Sequence, residues 1–231
     1  MFLMFKSLGK KTQAQLGQLL WLFNIQWFVI QFLVACSWRP PGYSLKNNMI
    51  SDLGDNLISP LSHLMNTSFI ITGILSIAGA LLLRPLLYPN KRGLIITILL
   101  FAGGIGIILV GLNPENIRLP LHLLGAHVAA LTVGAIFLSS LEFKSNKYIR
   151  PLSKPSFYGA LILLVVGIYY SYVQSQYSST MPTIADQIRV TSSKADFLGL
   201  GVGGMEKFLC YPLIVWQIAV AKFIPKLIEK S

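Results

Sequence analysis

Side chains able to move a proton or hold an ion are few in this chain: three histidines, two cysteines and eight acidic residues among 231. The densest grouping is Asn48-Met49-Ile50-Ser51-Asp52-Leu53-Gly54, followed by Ser59-Pro60-Leu61-Ser62-His63 and then Asn66. His63 and Asn66 are three apart and share one helix face, and Asp52 has the reach to fold back and orient His63. In such a site His63 or His122 carries a proton, and Asp52 or Glu206 serves as its base or orienter. Mixed imidazole and carboxylate ligands suit zinc or a similar ion, so Asp52, His63, His122 and Glu206 are also the candidate metal set, although no recognisable ligand spacing supports it. Ser51, Asn66, Asn113, Glu115 and Lys207 are candidate substrate-binding groups, with Lys207 and a helix N-terminus beside it as the holder of an anion.

Each of these residues has a plainer reading. Ser51 and Asp52 are the types that cap a short helix, Ser59 suits the start of the next, and Glu206 suits the first turn of a helix by charge alone. A serine hydrolase built from Ser51 or Ser62 lacks a G-x-S-x-G elbow. His122 and His127 are five apart, about 140° around a helix, so at most one is expected to line a given pocket. His127 lies deeper and is expected to be hydrogen-bonded in a structural role. Haem held between His63 and His122 or His127 has little support, and no cofactor is identified. Gly199-Leu200-Gly201-Val202-Gly203-Gly204 matches a dinucleotide-binding pattern in letters, but without a strand before it the glycines read as a turning lead-in to a helix.

The elements that must position these residues are six apolar segments, at about 15–38, 61–83, 93–112, 120–141, 156–173 and 204–221. Each is near the roughly 20 residues that cross a hydrocarbon core. Lys and Arg alternate between the connections: thirteen of nineteen fall on one side and six, Arg39, Lys46, Arg118, Arg189, Lys194 and Lys207, on the other. That asymmetry predicts an all-helical, six-span bundle, a single membrane domain over 1–231, with both termini cytoplasmic and the protein in the cell (inner) membrane. Six of the eight acidic residues and all three histidines fall at the opposite, outer side. Acidic residues barely influence insertion, so their bias points to chemistry on the outer face.

The formal charge of +11 sits mostly in short connections beside helix ends, where it meets lipid headgroups; membrane lipids rather than nucleic acid are the expected partners. Long outer loops at 39–60 and 174–203 carry apolar residues and are expected to fold over the bundle as a cap. Small residues at four-residue spacing, such as Ser76 and Ala80, Ala102 and Gly106, and Gly125 and Ala129, place the second, third and fourth segments in the tightest packing. Cys36 and Cys210 read as small buried apolar groups in preference to a disulfide. The first segment, despite Lys10, Lys11 and a Leu33-Val34-Ala35-Cys36 run, is too long for a secretory apolar region and reads as an uncleaved anchor.

Several of these stretches carry a resemblance. Tyr43-Ser44 with Asn48-Met49-Ile50-Ser51-Asp52-Leu53-Gly54, then Pro60 and Asn66, Gly111-Leu112-Asn113-Pro114, His122 with Ala126, and Gly203 and Gly204 with Glu206-Lys207, Tyr211-Pro212 and Trp216 resemble a widespread bacterial family of integral membrane proteins of unknown function. The resemblance implies a six-helix fold and no reaction; members often carry Arg where this chain has Lys207. Together the residues suggest a polar pocket at the extracytoplasmic face that binds or modifies a lipid or lipid-linked substrate. The alternative is a non-enzymatic membrane protein, a sensor, assembly partner or transporter subunit, whose polar cluster is structural.

Overall fold

The computed structural model describes residues 9–38, 41–178 and 199–229. Most of the second long loop, with Asp186, Arg189, Lys194 and Asp196, lies outside them, as does Arg39. Among the described residues there is no strand. Six helical stretches are long and apolar enough to cross a membrane: Lys10–Cys36, Ser62–Leu87, Lys91–Leu112, Glu115–Phe143, Arg150–Tyr172 and Gly201–Ile228. They match the six apolar segments one for one and make this a multi-pass membrane protein. Most are a few residues longer than the apolar runs, because the helices continue into the polar flanks.

Three spans, the first, fourth and sixth, are interrupted. The first is α1 (Lys10–Phe23) and α2 (Gln26–Cys36), separated at Asn24 and Ile25, where the backbone tightens: Asn24 N donates to Trp21 O at 3.3 Å and Ile25 N to Leu22 O at 3.1 Å. The second and third are α3 (Ser62–Leu87) and α4 (Lys91–Leu112). The fourth is α5 (Glu115–Ala129) and α6 (Leu131–Phe143), with Arg118 at φ −141° and ψ 60° breaking α5 two residues before Pro120. A proline ring does not fit inside an unbroken helix, so the first turn, with Glu115, is set off from the rest. The fifth is α7 (Ser153–Ser178), and the sixth is α8 (Gly201–Ala221) with a short α9 (Ile224–Ile228).

The spans form a ring. α1 and α2 pack on α3, α3 on α4, α4 on α5 and α6, α6 on α7, and α8 closes the circle against α1 and α7. The α3–α4 and α4–α5 contacts are the most extensive, as the small-residue spacing predicts. A methyl group on Gly125 would stand 2.8 Å from the Gly106 carbonyl oxygen, so bare backbone is what lets α4 and α5 touch. Phe32, Ile98, Ile168 and Val215 point outward and are more than half exposed, as suits a surface facing lipid.

The two ends of the ring differ. The end opposite the first long loop has a filled core in which Trp21, Tyr88, Phe143, Trp216 and Val220 pack together. Phe143 stacks on Tyr88 and Trp216 at centroid distances of 6.1 and 6.2 Å. Burial pushes the Tyr88 hydroxyl far up from its ordinary value, and it bonds Ser139 at 2.9 Å. The loop end has a smaller cluster of Trp27, Val34, Met65, Phe69 and Ile214, into which Ile50 and Leu53 of the first long loop are inserted. Hydrogen bonds between buried amides and hydroxyls tie the first span to its neighbours: Asn24 Nδ2 donates to Gln217 Oε1 at 2.6 Å, Ser76 Oγ to the same oxygen at 3.0 Å, and Gln26 Nε2 to Thr72 Oγ1 at 2.8 Å.

Candidate functional site

The first long loop is locked to the start of α8. Its short 3-10 turn, Ser51–Gly54, begins where the Ile50 backbone N–H donates to the Glu206 carboxylate, with the Ser51 N–H beside the same group. Lys207 Nζ donates to the carbonyl of Asn48 at 2.7 Å and to that of Gly203 at 3.1 Å, and lies 4.9 Å from the centre of the Tyr43 ring. The Tyr43 hydroxyl donates to Met49 O at 2.9 Å and Asn48 O at 3.2 Å; burial first, and the Glu206 carboxylate second, push its pKa well up, so it remains a donor. Asp52 Oδ2 accepts from the Met49 N–H at 2.8 Å and Asn48 Nδ2 at 3.3 Å, and Asn66 Nδ2 donates to Gly54 O at 2.8 Å.

The glycine run completes the lock. Gly201 has φ +60°, a left-handed conformation that disfavours side chains, and a Cβ there would sit 2.6 Å from the Lys46 carbonyl oxygen. A Cβ on Gly203 would run into the backbone of Asn48. Gly204 N donates to Lys46 O at 3.1 Å, so the loop backbone itself serves the opening turn of α8.

Beneath this clasp lies a partly open cavity of about 290 Å³ to which all six spans contribute. Its walls are mostly apolar, with Trp27, Val133, Leu163, Leu209 and Ile214 among them. Its ionisable groups include Glu115, His122, His127 and Glu206, and Met49, Ile50 and Ser51 of the clasp form part of its roof. Glu115 stands against the side chains of Asp52 and Ser51. His122, 7 % exposed, is held by Nδ1 against the Asn113 carbonyl at 2.9 Å. Such a space, apolar with a few convergent polar groups, is the usual form of a small-molecule or lipid site.

A family model described as "Protein of unknown function (DUF998)" matches residues 25–221, which takes in the clasp, the cavity and every span at least in part. The chain belongs to the DUF998 family. No curated protein and no solved structure matches it.

The DUF998 chain brings some of the expected site residues together and leaves others out. Ser51, Glu115, His122 and Glu206 line the cavity. Asp52 sits behind Glu115, and Asn113 is buried, its carbonyl fixing His122 and its own Nδ2 donating to Leu109 O at 2.8 Å. Asn66 positions the loop. His63 is exposed and does not line the cavity, and Asp52 is engaged with Asn48 and Met49, so the expected Asp52–His63 pair does not form. The metal set Asp52, His63, His122 and Glu206 therefore lacks a member, and among the described residues no group of three or more His, Cys, Asp or Glu has come together as a metal site. Haem between His63 and the other histidines fails for the same reason.

Lys207 is a second correction. Two carbonyls and an aromatic face occupy its ammonium, and it does not line the cavity, so it is not placed to hold an anion there. The histidines are a third: His122 and His127 both line the cavity, because it spreads over a broad face of α5 in which Leu123 and Ala126 lie between them. His127, exposed to that space, bonds its own helix through Leu123 O at 2.7 Å. Cys36 and Cys210 are both free, Cys36 exposed and Cys210 partly buried and lining the cavity. The buried amides Asn24, Gln31 and Gln217 and the half-buried Gln26 were not among the expected residues; polar side chains inside apolar runs were the available signal.

Proposed function

We propose that this protein holds a lipid or another lipid-linked amphiphile within its bundle, at the extracytoplasmic end of a cell (inner) membrane protein whose termini are both cytoplasmic. The observation that carries the reading is the shape and lining of the cavity: apolar walls drawn from six spans, with Ser51, Glu115, His122 and Glu206 among its polar groups. An acyl chain matches the walls and a polar head the carboxylates and imidazole. His122 and Glu115 are the two groups best placed to exchange a proton with a bound molecule, if it is also transformed.

The clasp supports a division of labour. Lys207, Tyr43, Asp52, Asn48 and Asn66 satisfy one another and the backbone, which favours a structural role for that part of the motif. The cavity groups are the ones left facing open space. Native mass spectrometry of detergent-purified wild type against Ala126→Trp tests this, since the indole would fill space that Ala126 borders. The expected result is a stoichiometric lipid adduct on wild type that the equally stable variant lacks. Equal adducts on both, or none on wild type, would contradict it.

A further inference from the structure

Where the cavity opens decides how an occupant reaches it, a question that rests on the amphiphile reading above. Among the described residues, α5 packs extensively on α4 but meets α7 and α8 only slightly. α6 and α7, by contrast, are held together toward the end opposite the first long loop, where the Phe137 and Phe157 rings lie 5.3 Å apart and Ser153 Oγ donates to Ser140 O at 2.7 Å. The fourth and fifth spans are therefore joined at that end and part toward the cavity.

Side chains on both sides of the parting locate the opening there. Ala126, His127 and Ala130 of the fourth span line the cavity and are nonetheless exposed, as is Ser171 of α7. Gly167 of α7 also lines it, and among the described residues a Cβ there would meet no neighbouring atom within 4 Å. Beside them Leu124, Leu131, Leu164 and Ile168 are exposed, so apolar surface flanks the opening on both helices. Ala130 is near the middle of its span and Gly167 is in the outer half of its own, which sets the opening at the depth of lipid chains. The clasp residues Met49, Ile50 and Ser51 roof the same space from above. Its volume of about 290 Å³ is at the lower limit for a ligand pocket and less than a whole two-chain lipid fills.

We propose that the occupant is a lipid resident in the bilayer, entering sideways between α5 and α7 from the leaflet on the clasp side, with one part of it in the cavity and the remainder still among its neighbours. No water-filled route is then needed, because an acyl chain passes from hydrocarbon to an apolar wall.

The test places a bulky apolar label, N-pyrenylmaleimide, on full-length protein carrying Gly167→Cys or Ala130→Cys at the opening, Gly159→Cys on α7 away from the cavity, or Asn47→Cys in the exposed part of the clasp, with wild type treated alike to account for Cys36 and Cys210. Each is reconstituted into vesicles of chain-deuterated phosphatidylethanolamine and phosphatidylglycerol, and native mass spectrometry follows replacement of the co-purified lipid adduct by deuterated lipid. Label at 167 or 130 is expected to slow exchange at least about tenfold, and label at 159 or 47 to leave it at the wild-type rate. Should the label at one of the two opening positions displace the adduct, the other serves; displacement from both would put these positions inside the site and overturn the side opening. Unchanged exchange from 167 and 130, equal slowing from 159, or slowing from 47 alone would also overturn it while leaving the cavity reading in place. Absence of any adduct on wild type would overturn both.

Discussion

Glu115 and Glu206 are both carboxylates near the start of a helix at one end of the bundle, yet their neighbours give them different work. Glu206 accepts the Ile50 N–H and so holds the loop, whereas Glu115 meets Ser51 and Asp52 and borders the cavity. Removing Glu206 strands a partly buried backbone donor. Glu206→Ala is expected to destabilise the folded protein by about 2 kcal/mol and Glu206→Gln by less, because an amide oxygen still accepts. Thermal unfolding in detergent reads the difference; unchanged melting temperatures in both variants would remove Glu206 from the clasp. The residue types needed for this site were legible in the sequence, since Ser51, Glu115, His122 and Glu206 were all singled out. Their roles were not, because they depend on which groups each side chain meets: Lys207 turned to carbonyls and His63 to the surface through contacts between residues far apart in the chain.

At the scale of elements, the apolar windows predicted six helices because a membrane requires every backbone group in a span to bond within it. The interruptions were harder to see. The break at Arg118 was signalled by Pro120, but the turn it sets off, which brings Glu115 to the cavity, needs the packing of α4 against α5 to define it. The glycine run before α8 was read as a turning lead-in, and the structure adds its reason: the loop backbone crosses so closely that Gly203 has no room for a side chain. Gly203→Ala is therefore expected to push the loop from α8 and make position 48 reactive to a water-soluble thiol reagent in an Asn48→Cys background. Protection equal to that of the Gly203 parent would show that the close approach is not needed. The amide network of Asn24, Ser76 and Gln217 was not anticipated, because each residue alone sits in an apolar run and only the ring brings them together.

The described residues form a ring with a filled core at one end and a partly open hollow at the other, over which the first long loop is fastened. The space of about 290 Å³ at that end is partly open and lined mainly by apolar side chains, room enough for a small ligand. The distribution of Lys and Arg predicts that the solid end faces the cytoplasm. Alkaline phosphatase fused to the C-terminus is expected to be inactive and a fusion in the first long loop active; the reverse pattern would invert the bundle and move the cavity to the cytoplasmic leaflet. The most direct measurement of the central claim is photo-crosslinking in intact membranes from benzoylphenylalanine at Leu209, which lines the cavity, and at Leu124, which is 52 % exposed and does not line it. The account predicts one discrete lipid-like adduct from position 209 and a mixture mirroring bulk membrane lipid from position 124. The same mixture from both positions, or no adduct from 209, would contradict it.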